Sequence, residues 1–132
     1  MIFMKKHFFV IDDDVEDIQL ITAALGCLNA DCKCTWARSG EQAVKQLQYL
    51  KPDIIFIDYQ MPGMNGIQCL QAIKDLPNCK QVPIILHSSN MDEQLRRQAM
   101  QLGAYACLQK PDSLDRLMTV LQQFAFNKAS AA

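Results

Sequence analysis

The chain has 132 residues, which is enough for one domain with a real hydrophobic core. Half of the residues are hydrophobic and a fifth are charged, as is typical of a globular protein in water. The formal net charge of −1 lacks the basic excess of a nucleic-acid-binding or membrane-binding protein, so we expect neither partner. The apolar stretch near the start is short and is cut off by Asp12, which excludes a signal peptide and predicts a cytoplasmic protein.

Strand and helix patterns alternate along the chain. Apolar runs predict strands at 7–12, 32–37, 54–58, 82–87 and 105–109. Between them, apolar residues recur at helical spacing within 18–28, 43–50, 67–73, 95–102 and 114–124. Five βα units of this kind predict an α/β fold with a parallel sheet covered by helices on both faces.

Polar residues mark the predicted starts of the helices. Asp14, Glu16 and Asp17 open the first helix, where the helix dipole favours acidic side chains. Ser39 is the predicted N-cap of the second helix, and Asp92 or Asn90 that of the fourth.

Side chains suited to phosphoryl chemistry follow four of the predicted strands. Asp12 and Asp13 follow the first strand, while Asp58, Ser88 and Lys110 end the third, fourth and fifth runs. The carboxyl ends of parallel strands lie at one edge of the sheet, where such sheets bind ligands. Carboxylates that converge there repel one another unless a hard cation binds between them, and Mg²⁺ prefers such oxygen ligands. Each residue alone has an ordinary explanation as a cap or a solvated side chain, but their joint arrangement predicts a phosphoryl-handling site.

The six cysteines show no metal-binding spacing. They lie at positions 27, 32, 34, 69, 79 and 107 and form no C-x-x-C pair. We therefore expect reduced thiols that pack as small apolar side chains.

With these residues noted, the chain resembles the receiver domain of two-component response regulators over essentially its whole length. Four family features match in order, and each lies at the end of a predicted strand. They are an acid pair at Asp12 and Asp13, the phosphoacceptor Asp58 with its loop Met-Pro-Gly-Met-Asn-Gly at 61–66, a Ser/Thr at Ser88, and Lys110 followed by Pro111.

The resemblance implies a flavodoxin-like, doubly wound sheet of five parallel strands in the order 2-1-3-4-5. It implies a single receiver domain at 1–127, followed by a disordered tail at 128–132. Such a single-domain response regulator accepts a phosphoryl group from a histidine kinase or a histidine phosphotransfer protein. It then signals by protein–protein interaction with an unidentified downstream protein, or by phosphorelay. It catalyses only its own phosphorylation and dephosphorylation, so we do not expect an enzyme.

The resemblance also implies roles for individual residues. Asp58 is the nucleophile that becomes an aspartyl phosphate. Mg²⁺ is bound by Asp12, Asp13, Asp58 and the backbone carbonyl of Gln60, with Asp12 acting through water. Lys110 pairs with the phosphoryl group, and Ser88 hydrogen-bonds to it only after phosphorylation. A cis peptide bond is expected between Lys110 and Pro111.

Three positions bear on how the phosphorylated state is recognised. The aromatic residue that receivers carry in the fifth strand is replaced by Cys107, and Asp112 stands where an apolar aromatic often follows Lys-Pro. Tyr105 lies two residues before Cys107, so we predict that it shares a face with Cys107 and substitutes for the missing aromatic.

His87 is predicted to be a packed or half-exposed histidine that points away from Ser88.

Two other functions fit parts of the sequence. Asp12 and Asp14 also match the D-x-D start of haloacid-dehalogenase-type phosphatases, with Asp12 as nucleophile and Asp14 as acid/base. Against that interpretation, the sequence has no late acidic motif for the metal and no cap domain. A receiver-like interaction module that is never phosphorylated is the other alternative, and the complete acceptor set argues against it.

Overall fold

The structure is a computed structural model, and it describes residues 6–28 and 32–126. Strands and helices alternate through these ranges, as the apolar periodicity predicts. The tail predicted at 128–132 lies outside the described residues, and the extent of one domain over 1–127 stays a prediction.

The described strands form one parallel sheet. They are β1 (Lys6–Ile11), β2 (Cys32–Ala37), β3 (Ile54–Asp58), β4 (Ile84–Ser88) and β5 (Ala106–Gln109). Their order is β2-β1-β3-β4-β5 and every neighbouring pair is parallel, which confirms the predicted fold. The predicted strand 82–87 begins two residues later, at Ile84, after Pro83, which has no N–H to donate to a neighbouring strand.

Helices cover both faces of the sheet. They are α1 (Val15–Cys27), α2 (Gly40–Gln46), α3 (Gly66–Lys74), α4 (Glu93–Gln101) and α5 (Leu114–Phe126), with a short 3₁₀ turn at Pro77–Cys79. Buried side chains of α2, α3 and α4 pack in one core layer, and those of α1 and α5 pack in the other. None of the helices in the described ranges is long and apolar enough to cross a membrane.

Strand β3 is buried along its whole length. Ile55 and Ile57 point into the layer under α2, α3 and α4, while Ile54 and Phe56 point into the layer under α1 and α5. The uniformly apolar run is therefore explained by burial on both faces. A slip by one residue would exchange these two sets, so the register that brings Asp58 to the sheet edge is fixed by packing.

The helix starts have the predicted caps. The side chains of Asp14, Ser39 and Asp92 accept hydrogen bonds from backbone N–H groups in the first turns of α1, α2 and α4. Asn65 and Gln68 form a reciprocal capping box at the start of α3, which the sequence analysis missed. The apolar spacing within 114–124 includes Leu114, but this residue begins α5 and is 38% exposed, because the buried face of the helix starts one turn later at Leu117.

The cysteines have mixed environments. No disulfide joins those in the described ranges; Cys69, Cys79 and Cys107 are buried, whereas Cys27 is exposed. Burial raises the pKa of the Cys69 thiol to about 12, so it stays protonated and packs as an apolar side chain. The expectation of core thiols therefore fits the three buried cysteines and fails for Cys27.

Candidate active site

Two neighbouring central strands bring three carboxylates together. Ile11 of β1 lies beside Ile57 of β3, so Asp12 and Asp58 reach the same edge of the sheet. One oxygen from each of Asp12, Asp13 and Asp58 lies within 4.8 Å of the others. Asp12 and Asp58 are buried and Asp13 is exposed, so the cluster has a buried side and an open side.

Backbone and ring contacts fix the buried acids in place. The Asp12 backbone N–H donates to the Ala37 carbonyl at 3.1 Å, and its carbonyl accepts from the Trp36 ring nitrogen at 2.7 Å. The Asp12 carboxylate accepts the Asp14 N–H at 3.0 Å, and the Asp58 carboxylate accepts the Gln60 N–H at 3.3 Å. Each buried carboxylate thus has a backbone donor and keeps acceptor capacity for other ligands.

Lys110 supplies the positive charge of the site. It follows β5, where its backbone N–H donates to the Ser88 carbonyl at 2.8 Å. Its ammonium nitrogen lies 3.3 Å from a carboxylate oxygen of Asp58 and 3.4 Å from one of Asp12. It lies closer still, at 2.5 Å, to Asp17 of α1. One ammonium group is therefore shared among three carboxylates.

Burial and mutual repulsion disfavour the charged forms of the two buried acids. Burial, with a contribution from Asp58, raises the pKa of Asp12 to about 7. Burial and the nearby Asp13 raise the pKa of Asp58, although Lys110 opposes both effects. Burial alone would lower the pKa of Lys110, but the hydrogen bond to Asp17 and the charges of Asp12 and Asp58 outweigh it and raise the pKa. The cluster carries more negative charge than Lys110 alone can compensate.

This donor set fits a magnesium ion. Mg²⁺ takes hard oxygen ligands and commonly binds through one or two carboxylates while it keeps several waters. Asp12, Asp13 and Asp58 offer such oxygens, and the exposed side of Asp13 leaves room for waters. A divalent cation would also offset the repulsion that raises the two acid pKa values.

An open cleft of about 820 Å³ gives access to the cluster. Its lining comes from the segments that follow β1, β3, β4 and β5: Asp13, Asp14, Val15, Glu16, Asp17, Asp58, Gln60, Ser89, Gln109, Lys110, Pro111 and Asp112. Asp58 therefore lines a cleft that is open to solvent. Gln60 lines this cleft, and metal binding by its carbonyl stays a prediction.

Ser88 is held apart from the cleft. It is fully buried, and its hydroxyl oxygen accepts the Asn90 N–H at 3.2 Å. Its neighbour Ser89 lines the cleft instead. The Gln109 side chain ties this loop to β5, because it accepts the Met91 N–H at 3.0 Å and donates to the Ser89 carbonyl.

A comparison of the sequence with protein-family models identifies the family. The model described as "Response regulator receiver domain" matches residues 8–122. The chain belongs to this family.

Relatives agree with this assignment. The receiver is 32% identical over 118 residues to the probable chemotaxis protein CheY of Rhizobium etli, which covers 89% of this chain and 91% of that protein. The phosphorylated cyanobacterial phytochrome response regulator RcpA has the same fold, with a TM-score of 0.85 at 24% identity over 96% of this chain and 97% of that one.

A third relative has been solved with a bound metal ion. The receiver domain of the sensor histidine kinase PA1611 from Pseudomonas aeruginosa is 25% identical, with a TM-score of 0.77 over 92% of this chain and 98% of that one. Its structure has a magnesium ion coordinated in the active site cleft.

The predicted cis peptide bond is wrong. The described residues contain no cis peptide bond, so the receiver joins Lys110 to Pro111 in trans. The free-energy difference between the two isomers of a bond before proline is only about 0.5–1 kcal/mol, so the dipeptide alone does not determine the isomer. Lys110 reaches Asp58 from the trans arrangement.

The predicted substitute for the missing aromatic residue is also wrong in its geometry. Cys107 is 3% exposed and packs in the layer under α4, where its carbonyl accepts from the Arg96 guanidinium at 2.8 Å. Tyr105 is 47% exposed, and its ring lies 6.5 Å from that of Phe124 in α5. The two residues have different surroundings because β5 begins at Ala106, so strand alternation does not extend back to Tyr105.

Asp17 is a site residue that sequence reasoning missed. The sequence predicts only an acid that favours the start of a helix, and the pairing of Asp17 with Lys110 depends on how α1 packs in the folded chain. No local sequence pattern shows this pairing, because Asp17 and Lys110 are 93 positions apart.

His87 is fully packed. It is 6% exposed, its ring meets that of Phe56 edge to face at 6.1 Å, and its Nε2 atom has no hydrogen-bond partner within the described residues. Burial and the charge of Lys110 lower the pKa of His87 to about 3, although Asp17 opposes them. The neutral imidazole is thus the folded form at neutral pH.

We expect His87→Leu to stabilise the protein, and increasingly so at lower pH. At neutral pH the gain is about 1 kcal/mol, since a buried unpaired polar atom is removed. The folded pKa lies below the unfolded value, so the unfolded state takes up the proton first. Wild type therefore loses about 1.4 kcal/mol per pH unit relative to the variant as pH falls from about 6.5 towards 3.

Urea denaturation of both proteins between pH 8 and pH 4 measures this difference. His7→Gln is the matched control, because the chain has two histidines and His7 is only partly buried. Parallel stability curves for wild type and His87→Leu over this range would contradict the prediction.

Proposed function

We propose that this receiver domain is a Mg²⁺-dependent phosphorylation switch whose phosphoryl acceptor is Asp58. The observation that carries the proposal is the convergence of Asp58, Asp12, Asp13 and Lys110 at the mouth of one open cleft. Asp58 is the member of this group that both contacts Lys110 and lies at the end of the central strand β3. The donor is a histidine kinase or a histidine phosphotransfer protein, as in two-component systems.

The chain's own residues prepare the nucleophile. Lys110 and the Gln60 N–H stabilise the Asp58 carboxylate and oppose the burial that raises its pKa. A carboxylate oxygen of Asp58 attacks the phosphorus, a P–O bond forms, and the P–N bond of the phosphohistidine donor breaks with protonation of the leaving nitrogen. Lys110 lies where it can pair with the added negative charge.

Asp12, Asp13, Asp58 and the Gln60 carbonyl would hold the metal ion. When bound, Mg²⁺ neutralises negative charge on the phosphoryl oxygens and on the acid cluster. The magnesium ion in the PA1611 receiver supports this assignment. Hydrolysis of the aspartyl phosphate by water returns the Asp58 carboxylate and inorganic phosphate.

Ser88 is the proposed switch contact. Its hydroxyl accepts the Asn90 N–H in the described structure, so it must leave that bond to donate to a phosphoryl oxygen. This change alters the loop between β4 and α4, and hence the surface that a downstream protein would bind. Alternatively, the phosphoryl group passes to another protein in a relay. Catalysis is confined to the protein's own phosphorylation and dephosphorylation, and the cytoplasm is the proposed compartment.

The phosphatase alternative is not favoured. Its acid/base would be Asp14, whose side chain caps α1 by accepting the Glu16 N–H at 2.9 Å. The family match also covers the receiver motif rather than a phosphatase.

Mass spectrometry with site mapping tests the proposal. The protein is incubated with Mg²⁺ and acetyl phosphate, and its intact mass should increase by one phosphoryl group. Reduction of the acyl phosphate with borohydride and peptide mapping should locate the adduct at Asp58. An adduct at Asp12 would instead support the phosphatase chemistry, and the absence of any adduct would support the unphosphorylated interaction module.

A further inference from the structure

The closest ionic partner of Lys110 is not the proposed acceptor. Its ammonium nitrogen lies 2.5 Å from Asp17, compared with 3.3 Å from Asp58 and 3.4 Å from Asp12. The side chain of Lys110 is 17% exposed and that of Asp17 is 32% exposed. The ion pair is therefore partly shielded from water, and a shielded pair is stronger than an exposed one.

The surroundings of this ion pair favour it further. A small cavity of about 30 Å³ lies beside it, bounded by Leu20 and Ile21 of α1, Leu117 of α5 and the buried His87. These side chains are mostly apolar, and His87 stays neutral because burial lowers its pKa. Within the described residues, the cation paired with Asp17 is Lys110. The ammonium group thus has a strong ionic partner other than the three carboxylates of the acid cluster.

We propose that Asp17 is a positioning residue that restrains Lys110 in the unphosphorylated protein and competes with the phosphoryl group for its charge. This inference rests on the proposed function of Asp58. A phosphoryl group on Asp58 adds oxygens beyond the carboxylate that Lys110 now contacts, so the ammonium must shift to pair with them. This shift weakens the contact between Lys110 and Asp17. The free energy lost with that contact opposes formation of the phosphorylated arrangement.

Binding of beryllofluoride, a phosphoryl analogue, tests this competition without any covalent chemistry. Its affinity in saturating Mg²⁺ is measured by isothermal titration calorimetry on the full chain. Asp17→Asn removes the competitor, and we expect it to bind beryllofluoride about fivefold more tightly than wild type. Asp17→Glu keeps the carboxylate, so it should restore an affinity within about twofold of wild type.

Glu16→Gln is the matched control. Glu16 is an exposed acid in the same turn of α1, its replacement removes the same charge, and its carboxylate forms no ion pair with Lys110. We expect its affinity to stay within about twofold of wild type. Equal tightening in Glu16→Gln and Asp17→Asn would mean that general repulsion of the anion is the cause, which overturns the proposal.

The outcomes separate this inference from the function on which it rests. If wild type binds beryllofluoride and Asp17→Asn binds equally or more weakly, the competition is overturned while the acceptor site stands. If wild type fails to bind beryllofluoride in Mg²⁺, the proposed phosphoryl site itself is wrong, and the role of Asp17 falls with it.

Discussion

Asp58→Asn is expected to abolish phosphorylation and to make the folded protein more stable. The nucleophile is lost because an amide oxygen does not form an acyl phosphate under these conditions. The folded state of the variant is stabilised because Asp58 is 3% exposed in wild type, where burial and Asp13 raise its pKa. An ionised carboxylate at this position therefore costs free energy that a neutral amide of the same shape avoids.

The sign of the stability change depends on pH. The pKa of Asp58 is higher in the folded than in the unfolded protein, so its contribution to stability is largest at low pH and is lost as pH rises through the folded pKa. In Mg²⁺-free buffer at pH 8 we expect Asp58→Asn to gain about 1 kcal/mol, and the gain should shrink as the pH is lowered. Urea denaturation at several pH values measures the free energy of unfolding, and intact mass after acetyl phosphate measures phosphorylation.

Asp75→Asn serves as the control for charge removal alone. Asp75 is exposed at the end of α3, so its replacement should change stability by no more than about 0.5 kcal/mol and leave phosphorylation intact. If Asp58→Asn proved less stable than wild type at pH 8, the ion pair with Lys110 would outweigh the cost of burial.

Gly66→Ala should destabilise the protein by about 3 kcal/mol. A Cβ atom at this position would lie 2.6 Å from the Tyr59 Cα, 2.9 Å from the Asp58 carbonyl oxygen and 2.7 Å from the Leu86 side chain. Two of these are backbone atoms of the segment that holds the acceptor, and the Gly66 N–H also donates to the Tyr59 carbonyl at 3.0 Å. We expect relief of the clash to displace the backbone at Asp58 and so to slow phosphorylation as well.

Gly26→Ala is the matched control within the same chain. Gly26 lies in α1, and a Cβ atom there would meet nothing within 4 Å. The substitution should stabilise the protein by about 0.5–1 kcal/mol, because alanine has the higher helix propensity. Thermal unfolding of both variants, with rates of acetyl-phosphate labelling, checks the two predictions. A Gly66→Ala protein with the stability of wild type would show that α3 can shift away from the β3 loop at little cost.

The gathering of the site was predictable because it depends on strand ends. Asp12 and Asp58 come at the ends of apolar runs. Neighbouring parallel strands bring such residues to one edge of the sheet, independently of how other side chains pack. The same reasoning predicted that Lys110 would join them, and the structure has all three in contact through its ammonium group.

The parts that were not predictable depend on packing between elements far apart in the sequence. Asp17 pairs with Lys110 because α1 and α5 flank β1 and β3, and no local pattern contains that information. Tyr105 turns towards α5 because β5 starts one residue after it, and strand boundaries are uncertain by about that much from sequence. The isomer of the Lys110–Pro111 bond is likewise decided by the surrounding structure rather than by the dipeptide.

The ion pair between Asp12 and Lys110 joins residues 98 positions apart. A nascent chain still lacking β5 therefore has its acceptor aspartate but no lysine beside it, and a chain lacking β1 has no acid pair. On the proposed function, competence to take up a phosphoryl group needs the first and last strands in the sheet. We therefore expect labelling by acetyl phosphate to require chains in which both strands have joined the sheet.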